Sequence, residues 1–309
     1  MSAAFVGDDS IPRVGVLYEH VRFAVVNKPG GLPCHAPEQR GPRRRRGARC
    51  ESDAPLLQRA RETLMRRVNL VHRLDRGASG CVLVAFDGEA TEALAAALKG
   101  AIKTYVAFTR GRWFDVGAEA VNVGRPRGWF VEDRPIKDER GVVHDTETMF
   151  LFAGATPEDS VERASLVLCR PKTGRWHQIR RHLNGLAHPI LGDGPHGDVR
   201  TNREWHARNL PRERLCLHLA RLQLPATALT PAVDVHCPLP ADLEFILRHH
   251  MPTIYAQAKA ALEDEARITL DDDTEGQDPK TAKLSQEPSP SSQEPPAEAP
   301  PALPECLGS

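Results

Sequence analysis

An aspartate, Asp75, lies between Arg73 and Arg76 just before a glycine-marked turn and the apolar run 81–86. In extended backbone, side chains two residues apart share a face, so Arg73 and Asp75 should point the same way while Leu74 enters the core. Nearby guanidinium groups favour the charged form of a carboxyl group, so we expect Asp75 to be ionised. A charged carboxylate at the mouth of a buried strand can attack carbon or act as a base. The same residues would also serve as a surface ion pair.

Charge is distributed unevenly along the 309 residues, which carry 41 basic and 41 acidic residues in total. From Gln257 onward there are 4 basic and 12 acidic residues, which leaves 37 basic and 29 acidic residues in 1–256. A basic body beside an acidic tail suits a polyanionic partner. Charge alone, however, indicates non-specific attraction and does not define a binding site.

The sequence has no feature typical of a membrane or secreted protein. No apolar run approaches membrane-spanning length, and Asp8 and Asp9 precede any apolar stretch that could serve as a signal peptide. The seven cysteines are scattered and form no Cys-x-x-Cys pair, which favours free thiols in a reducing compartment. We therefore expect a soluble, intracellular protein, with the cytoplasm favoured and the nucleus or an organelle left open.

Composition divides the chain into one folded domain, 14–256, and flanking segments. We expect a flexible N-terminus over 1–13 and a disordered, acidic, Pro- and Ser-rich tail over 257–309. The tail should be dispensable for catalysis beyond about residue 260. Segment 36–53 contains four consecutive arginines and few residues that could be buried, so we expect a disordered insertion. Such a run could contact phosphates or serve as a nuclear address, but it is more often a solvated loop.

Apolar spacing predicts strands and helices without regular βα alternation. This order favours an α+β fold with an antiparallel or mixed sheet. Strands are predicted over 14–18, 23–26, 81–86, 103–108 and 164–169 and within 112–150 and 215–236, and helices over 54–67, 89–99, 177–186 and 241–251.

Several motifs follow one another along the chain, and together they are far more specific than any one alone. They are Lys28-Pro29-Gly30-Gly31-Leu32, His72-Arg73-Leu74-Asp75-Arg76-x-x-Ser79-Gly80, Lys103-x-Tyr105, Lys172-Thr173-Gly174-Arg175-x-His177-Gln178-Ile179-Arg180 and His188-Pro189-Ile190-x-Gly192-Asp193. This combination resembles the RluA-like family of RNA pseudouridine synthases, over residues 14–250. The segment 196–203, His-Gly-Asp-x-Arg-x-Asn-Arg, is similar to the TruC-type branch, which acts on a uridine in the acceptor/T-stem region of transfer RNA.

The resemblance implies a pseudouridine synthase fold with a central sheet, flanking helices and a catalytic cleft. It also implies an isomerase that breaks the N1–C1′ bond of uridine, turns the uracil and rejoins it through C5. Asp75 matches the family's catalytic aspartate, which either attacks C1′ or acts as a base at the sugar. Arg180 matches the arginine paired with this aspartate, and Tyr105 the active-site tyrosine that offers an aromatic face and a phenol. Arg73 matches a residue that helps to hold the target nucleotide out of its helix.

The remaining substrate-binding residues that we expect are Arg76, Lys103, Arg175 and His177. His177, like His72, could equally brace the loop that carries the aspartate. The resemblance implies RNA as the partner, with transfer RNA favoured and ribosomal RNA possible. We also expect a monomer, although the sequence does not reveal the oligomeric state. We expect no cofactor and no metal, because the histidines lack i, i+4 spacing around a carboxylate and no Gly-rich phosphate loop is present.

Two positions depart from the family pattern. Ala78 stands where most relatives carry threonine, and loss of that hydroxyl should cost about 1 kcal/mol of bracing for the Asp75 loop. Trp176 replaces a smaller or polar residue, and could either pack beside the site or stack on RNA. An RNA-binding or chaperone protein that uses the same cleft without turnover is the alternative from another class.

Overall fold

The computed structural model describes residues 11–36, 54–113 and 128–267. The predicted insertion with its arginine run, apart from Ala36, lies outside these ranges, as do residues 268–309 of the predicted tail. The strands are β1 (Gly15–His20), β2 (Phe23–Lys28), β3 (Asn69–Leu70), β4 (Ser79–Ala85), β5 (Ile102–Arg110), β6 (Phe130–Glu132), β7 (Ile136–Lys137), β8 (Val143–His144), β9 (Thr148–Ala155), β10 (Ala164–Pro171), β11 (Leu217–Leu224) and β12 (Val233–His236). The helices are α1 (Leu56–Leu64), α2 (Gly88–Ala97), α3 (Gln178–Gly185), α4 (Val199–Ala207), α5 (Ala241–His250) and α6 (Pro252–Arg267).

A mixed sheet of ten strands organises the described residues, which confirms the predicted α+β fold. Its order is β1-β2-β4-β11-β5-β10-β9-β6, with β12 paired to β11 and β3 paired to β4. β7 and β8 form a separate two-stranded pair. β4 and β11 run parallel, with His218 opposite Ser79, while the other strand pairs are antiparallel.

The parallel pair determines where loops meet at one edge of the sheet. The starts of β4 and β11 lie side by side, and Leu219 of β11 pairs with Tyr105 near the start of β5. Tyr105 in turn pairs with Cys169 near the end of β10. The segment before β4, the start of β5 and the loop after β10 therefore lie close together.

The middle of the sheet is buried on both faces. Every residue of β4 and every residue of β11 is buried, which requires cover on both sides. The near-continuous apolar run 81–85 in β4 fits this environment. A long charged side chain, Arg221, is buried within β11 and is paired with Asp234 of β12 through contacts of 2.5 and 2.9 Å.

Two helices differ from the predictions. α4 is not predicted because its sequence is polar and buries only Asn202 and Trp205, so it lacks an apolar stripe. α6 continues to Arg267, and its residues Ile254 and Ala258 are fully buried in the core. The predicted boundary at 257 therefore falls inside a helix, because a few apolar contacts anchor a segment whose composition is otherwise typical of disorder.

The strands β6, β7 and β8 lie within 112–150 and β9 begins there, which confirms the expectation of strands in this region. Across the described ranges, no helix combines the length and the apolar character needed to cross a bilayer.

Candidate active site

A cavity of about 150 Å³ lies at the edge of the sheet where these loops meet. Six of the eight predicted site residues line it, namely Arg73, Asp75, Tyr105, Arg175, His177 and Arg180. They come from three separate stretches of the chain, so the structure brings together motifs that are about a hundred residues apart in sequence.

Arg180, in the first turn of α3, holds two carboxylates at once. Its Nε and Nη2 atoms each donate a 2.7 Å hydrogen bond to Asp193, and its Nη1 donates a 2.7 Å hydrogen bond to Asp75 Oδ2. The planar guanidinium suits this bidentate geometry, which fixes direction as well as charge. The Asp193 side chain is fully buried and that of Arg180 nearly so. Asp193 therefore fixes the arginine, and the arginine fixes Oδ2 of Asp75.

The charge on Arg180 is secured by these contacts. Burial acts to lower the pKa of the guanidinium, but hydrogen bonds to Asp193 and Asp75 outweigh it and raise the pKa above its ordinary value. The floor of the cavity therefore holds a permanent cation between two carboxylates. A buried cation is tolerated here because two partners compensate its lost hydration.

The buried Lys28 ammonium braces the Asp75 loop from below. Its Nζ donates to the carbonyl oxygens of Pro29, Arg76 and Ala78 at 3.0, 3.0 and 2.6 Å. Burial lowers the pKa of Lys28 from 10.5 to about 8, so it remains largely protonated at neutral pH. Ala78 also donates its N–H to Asp75 O at 3.1 Å. The loop thus keeps several backbone bonds where most relatives are expected to add a threonine hydroxyl.

A second buried cation, Arg214, supports the turn between Asp75 and β4. It donates to Gly77 O at 2.8 Å and to Ser79 Oγ at 2.8 Å, and Asp242 of α5 accepts from its Nε at 2.7 Å. The following Gly80 has φ of +119°, and a Cβ there would lie 2.3 Å from Leu219 O. The motif's glycine is therefore required by the close approach of β11.

Tyr105 is half-buried at the side of the cavity, near the start of β5. Burial, reinforced by the negative charge of Asp75, raises the pKa of its phenol well above the usual 10. The phenol is therefore protonated throughout the neutral range. It can donate a hydrogen bond and offer an aromatic face, but it is a poor base in its resting state.

The rim loop 173–177 is held rigidly by one buried amide. Gln178 Oε1 accepts hydrogen bonds from Thr173 Oγ1 at 2.8 Å and from the Arg175 N–H at 3.0 Å. Its Nε2 donates to Glu147 O at 3.0 Å and to Thr148 Oγ1 at 2.9 Å. Every polar atom of this side chain is satisfied, so the loop is preorganised before any substrate arrives.

His177 joins this loop to the aspartate. Its Nε2 lies 3.8 Å from Asp75 Oδ2, and its Nδ1 is 2.9 Å from His196 Nε2. Burial lowers the pKa of His177 from 6.5 to about 4, although Asp75 acts in the opposite direction. The imidazole is therefore neutral at pH 7, and its contact with Asp75 is not an ion pair.

Comparison with known proteins shows to which family the chain that carries this site belongs. The sequence profile of a family described as RNA pseudouridylate synthase matches residues 22–185, more than half of the chain. The chain belongs to this family. As an RNA pseudouridylate synthase, it is an isomerase that converts uridine in RNA to pseudouridine.

The names of this synthase's relatives refer to two kinds of RNA substrate. It is 33% identical to tRNA pseudouridine synthase C of Salmonella typhi over 230 residues, covering 68% of this chain and 79% of that protein. It is 32% identical to ribosomal large subunit pseudouridine synthase C of Vibrio cholerae over 231 residues, covering 74% and 67%. The fold is similar to that of human RNA pseudouridylate synthase domain containing 1, with a TM-score of 0.56, 22% identity, and coverage of 82% and 90%.

Two of the predicted substrate-binding residues do not line the cavity of this synthase. Lys103 donates to Leu98 O at 3.2 Å, beside the end of α2. Arg76 donates to Gly31 O and forms a 2.6 Å ion pair with Glu213 at the surface. The turn at 76–77 directs Arg76 away from Asp75. The guanidinium that contacts Asp75 is therefore that of Arg180, not that of its sequence neighbour.

The other predictions for the aspartate loop agree with the geometry. Leu74 is buried in the core, while Arg73 and Asp75 both line the cavity. His72 Nε2 accepts a 3.1 Å hydrogen bond from the Leu83 N–H. Burial lowers the pKa of His72 from 6.5 to about 4, so it is a neutral acceptor that ties the loop to β4.

Sequence reasoning missed Asp193 as a site residue although it ends one of the motifs. It also missed the residue that holds Asp193. Asn202 of α4 donates from Nδ2 to Asp193 O at 2.7 Å and accepts from the Gly192 N–H at 2.9 Å. Gly192 has φ of +80°, and a Cβ there would lie 2.0 Å from Arg214 O. The available signal was the spacing between Gly192-Asp193 and Asn202. The periodicity of apolar residues, from which helices and strands are predicted, does not detect such a spacing.

Within the residues that the structure describes, no three His, Cys, Asp or Glu side chains form a group able to hold a metal ion.

Proposed function

We propose that this synthase isomerises a uridine of transfer RNA, with Asp75 as the group that acts at the ribose. The observation that carries the role of Asp75 is the contact between Arg180 Nη1 and Asp75 Oδ2 at the cavity floor, with Arg180 itself fixed by Asp193. Asp75 forms no hydrogen bond through Oδ1 within the described part of the chain. One oxygen is thus held and the other is available to the substrate.

Two parts of the cavity take part in the mechanism, namely the charged pair Asp75 and Arg180 at its floor and the aromatic ring of Tyr105 at its side. The uridine enters extruded from its stack, since its glycosidic bond is not accessible in a helix. Asp75 either attacks C1′ or removes a proton from the sugar as the N1–C1′ bond breaks, and both routes use the same oriented carboxylate. Arg180 stabilises the carboxylate throughout. The uracil then turns against Tyr105 and C5 bonds to C1′. In the first route this step breaks the bond between C1′ and the Asp75 carboxylate, and in the second Asp75 returns its proton to the sugar. C5 then loses its proton to solvent and N1 gains one.

Tyr105 contributes to this reaction as a neutral phenol. Because its pKa is raised, direct removal of the C5 proton by a phenolate is unfavourable at neutral pH. Its aromatic face can instead restrain the detached uracil, which must stay in the cavity while it turns. Its hydroxyl can relay a proton only if it accepts one proton while it donates its own.

The choice of transfer RNA depends on the segment 196–203. This segment is similar to the TruC-type branch, and here it contributes His196, the N-cap Asp198 and Asn202. His196 contacts His177 and Asp193, and Asn202 contacts Asp193, while Asp198 caps the helix that carries Asn202. The segment therefore supports the active site. The catalytic motifs themselves do not encode the target RNA.

The proposal is tested by tritium release from RNA labelled at uridine C5. Purified protein should release tritium from a transfer RNA fraction and not from deproteinised ribosomal RNA, and Asp75→Asn should release none. Release from ribosomal RNA alone would transfer the same chemistry to that substrate. Binding without release from either fraction would instead indicate a non-catalytic RNA-binding protein.

Arg73 and Arg175 are exposed at the rim and suited to backbone phosphates. RNA binding should therefore weaken as salt rises. We also propose an intracellular location, supported by free thiols at all five cysteines of the described residues.

A further inference from the structure

Trp176 is unusually exposed for a tryptophan beside a catalytic cavity. Its residue exposure is 55%, whereas Trp113 and Trp205 are exposed by only 2% and 5%. The fourth tryptophan, Trp129, is half-buried beneath the Arg170 guanidinium. Leaving so large an apolar ring in water is unfavourable unless something covers it during function.

The ring is held in place on one side. The indole of Trp176 stacks on the imidazole of His177, with centroids 3.8 Å apart and planes inclined by 21°. His196 meets it edge-on at 6.0 Å and also bonds His177 at 2.9 Å. An indole with one face covered and more than half of its surface exposed presents its opposite face to solvent.

The support beneath this ring is rigid and uncharged. The adjoining loop is fixed by Gln178, as described above. Burial lowers the pKa of both His177 and His196, so at neutral pH the three rings form a neutral aromatic cluster. Positive charge is supplied separately by Arg175 next in sequence and by Arg73, which lines the same cavity.

These features together match a stacking platform for a nucleobase. A flat π-surface flanked by guanidinium groups is the arrangement by which proteins hold single-stranded RNA. Extrusion of the target uridine removes a stacking partner from each neighbouring base. A ring at the mouth of the cavity can replace that partner.

We propose that Trp176 stacks on the base of a nucleotide adjacent to the target uridine and so holds the RNA open at the cavity mouth. This inference rests on the proposed function, because it needs RNA in the cavity. Any base can occupy the platform, since every base has a π-face. Trp176 therefore contributes affinity without reading sequence, and the reaction chemistry remains with Asp75.

The first test detects contact without turnover. Asp75→Asn protein is titrated with total transfer RNA while tryptophan fluorescence is followed, and the same titration is made with Trp176→Phe added. RNA should quench the first protein strongly and the second only weakly, with both retained with RNA on filters. Equal quenching of the two proteins would overturn the proposal.

The second test separates binding from chemistry. With transfer RNA as substrate, Trp176→Ala should raise KM about tenfold while kcat changes by less than about twofold, and Trp176→Tyr should recover most of the loss. A purely structural role through His177 would instead lower kcat and would not be recovered by tyrosine. An unchanged KM would also refute the stacking role.

Abasic RNA identifies the stacked nucleotide. Removing the base on one side of the target should raise KM for the wild-type protein and abolish the further effect of Trp176→Ala. Additive effects at both neighbouring positions would contradict the proposal. If the wild-type protein releases no tritium from any RNA, the proposed function fails, whereas fluorescence quenching still reports on Trp176.

Discussion

Arg180 and Asp193 meet through two 2.7 Å hydrogen bonds in the interior, and the third donor of the same guanidinium reaches Asp75. The orientation of the proposed catalytic carboxylate thus depends on a residue that does not line the cavity. This relationship has consequences for both stability and turnover.

Asp193→Asn should damage both properties. The substitution replaces one carboxylate oxygen by an amide NH2 group that faces the guanidinium. The buried Arg180 therefore loses one of its two hydrogen bonds to residue 193. We expect the free energy of unfolding to fall by about 3 kcal/mol and kcat to fall at least about tenfold. Urea unfolding and tritium release measure the two effects. Asp145→Asn, at an exposed position, is the matched control and should change stability by less than about 0.5 kcal/mol. Wild-type stability in Asp193→Asn would refute the role of the fork.

Arg180→Lys should reduce turnover although it preserves the charge. A single ammonium cannot reproduce two bonds to Asp193 and one to Asp75, so Asp75 loses its fixed direction. We expect kcat to fall by about a hundredfold, or about 2.7 kcal/mol of activation free energy. Single-turnover tritium release measures this change. Arg181→Lys on the same helix, whose side chain contacts Lys137 O, serves as control. Comparable loss in both variants would show that the helix, and not the Asp75 contact, was disturbed.

Tyr105→Phe tests whether the hydroxyl or the ring matters more. The ring proposed to restrain uracil is retained, so KM should stay within about twofold, while kcat falls by about ten- to a hundredfold if the hydroxyl assists proton transfer. Because the pKa of Tyr105 is raised, its ionisation should not limit wild-type turnover at mildly alkaline pH. Rates of the two proteins across pH provide the measurement. An activity that increases with ionisation of Tyr105 would oppose the neutral-phenol role.

Lys28 should give stability and turnover opposite pH dependences. Its pKa falls from 10.5 in the unfolded chain to about 8 in the folded protein, so between these values the unfolded state binds more protons. The Lys28 contribution to unfolding free energy should therefore rise with pH in this window. Turnover should fall through about pH 8, because a neutral amine lacks the third N–H donor for the loop carbonyls.

Single-turnover rates and urea unfolding from about pH 6 to about pH 10 test this prediction. Lys28→Met removes the titrating group and should lack both pH effects. Wild-type turnover that stays constant through about pH 9 would exclude the brace as a requirement for catalysis.

The C-terminal boundary can be tested by truncation. Removing residues 268–309 should leave turnover within about twofold, because α6 remains complete. Ending the chain after Met251 removes the fully buried Ile254 and Ala258 and should lower the free energy of unfolding by at least about 3 kcal/mol. Thermal unfolding and tritium release distinguish the two truncations. Equal stability would show that α6 adds nothing to the core.

Local sequence patterns predicted the elements with a continuous apolar face and the residues next to them. Leu74 and Asp75 are an example, since alternation alone places one in the core and the other at the cavity. The contact between Asp75 and Arg180 spans 105 positions, and no local pattern contains it. Its prediction came from the family resemblance.

Lys103 and Arg76 show where local patterns fail. Lys103 shares a strand face with Tyr105 but lies two residues earlier in β5, about 6.6 Å away, beside Leu98 and not the cavity. Arg76 adjoins Asp75 in sequence, yet the turn that follows sends it to Glu213. The supporting roles of Lys28, Arg214 and Asn202 were not predicted, although Lys28 and Asn202 lie in quoted segments, because these side chains act largely through backbone carbonyls, which any sequence contains.

The arrangement of Asp75, Arg180 and Asp193 has a consequence for how an RNA strand can enter the cavity. The two carboxylates are balanced in the depth of the cleft by the Arg180 guanidinium and the Lys28 ammonium, while Arg73 and Arg175 stand at its lip. Phosphodiester groups are therefore attracted to the lip, where positive charge is in excess. An uncharged pyrimidine ring can pass the two arginines, so this distribution of charge favours the base inside the cavity and the RNA backbone outside it.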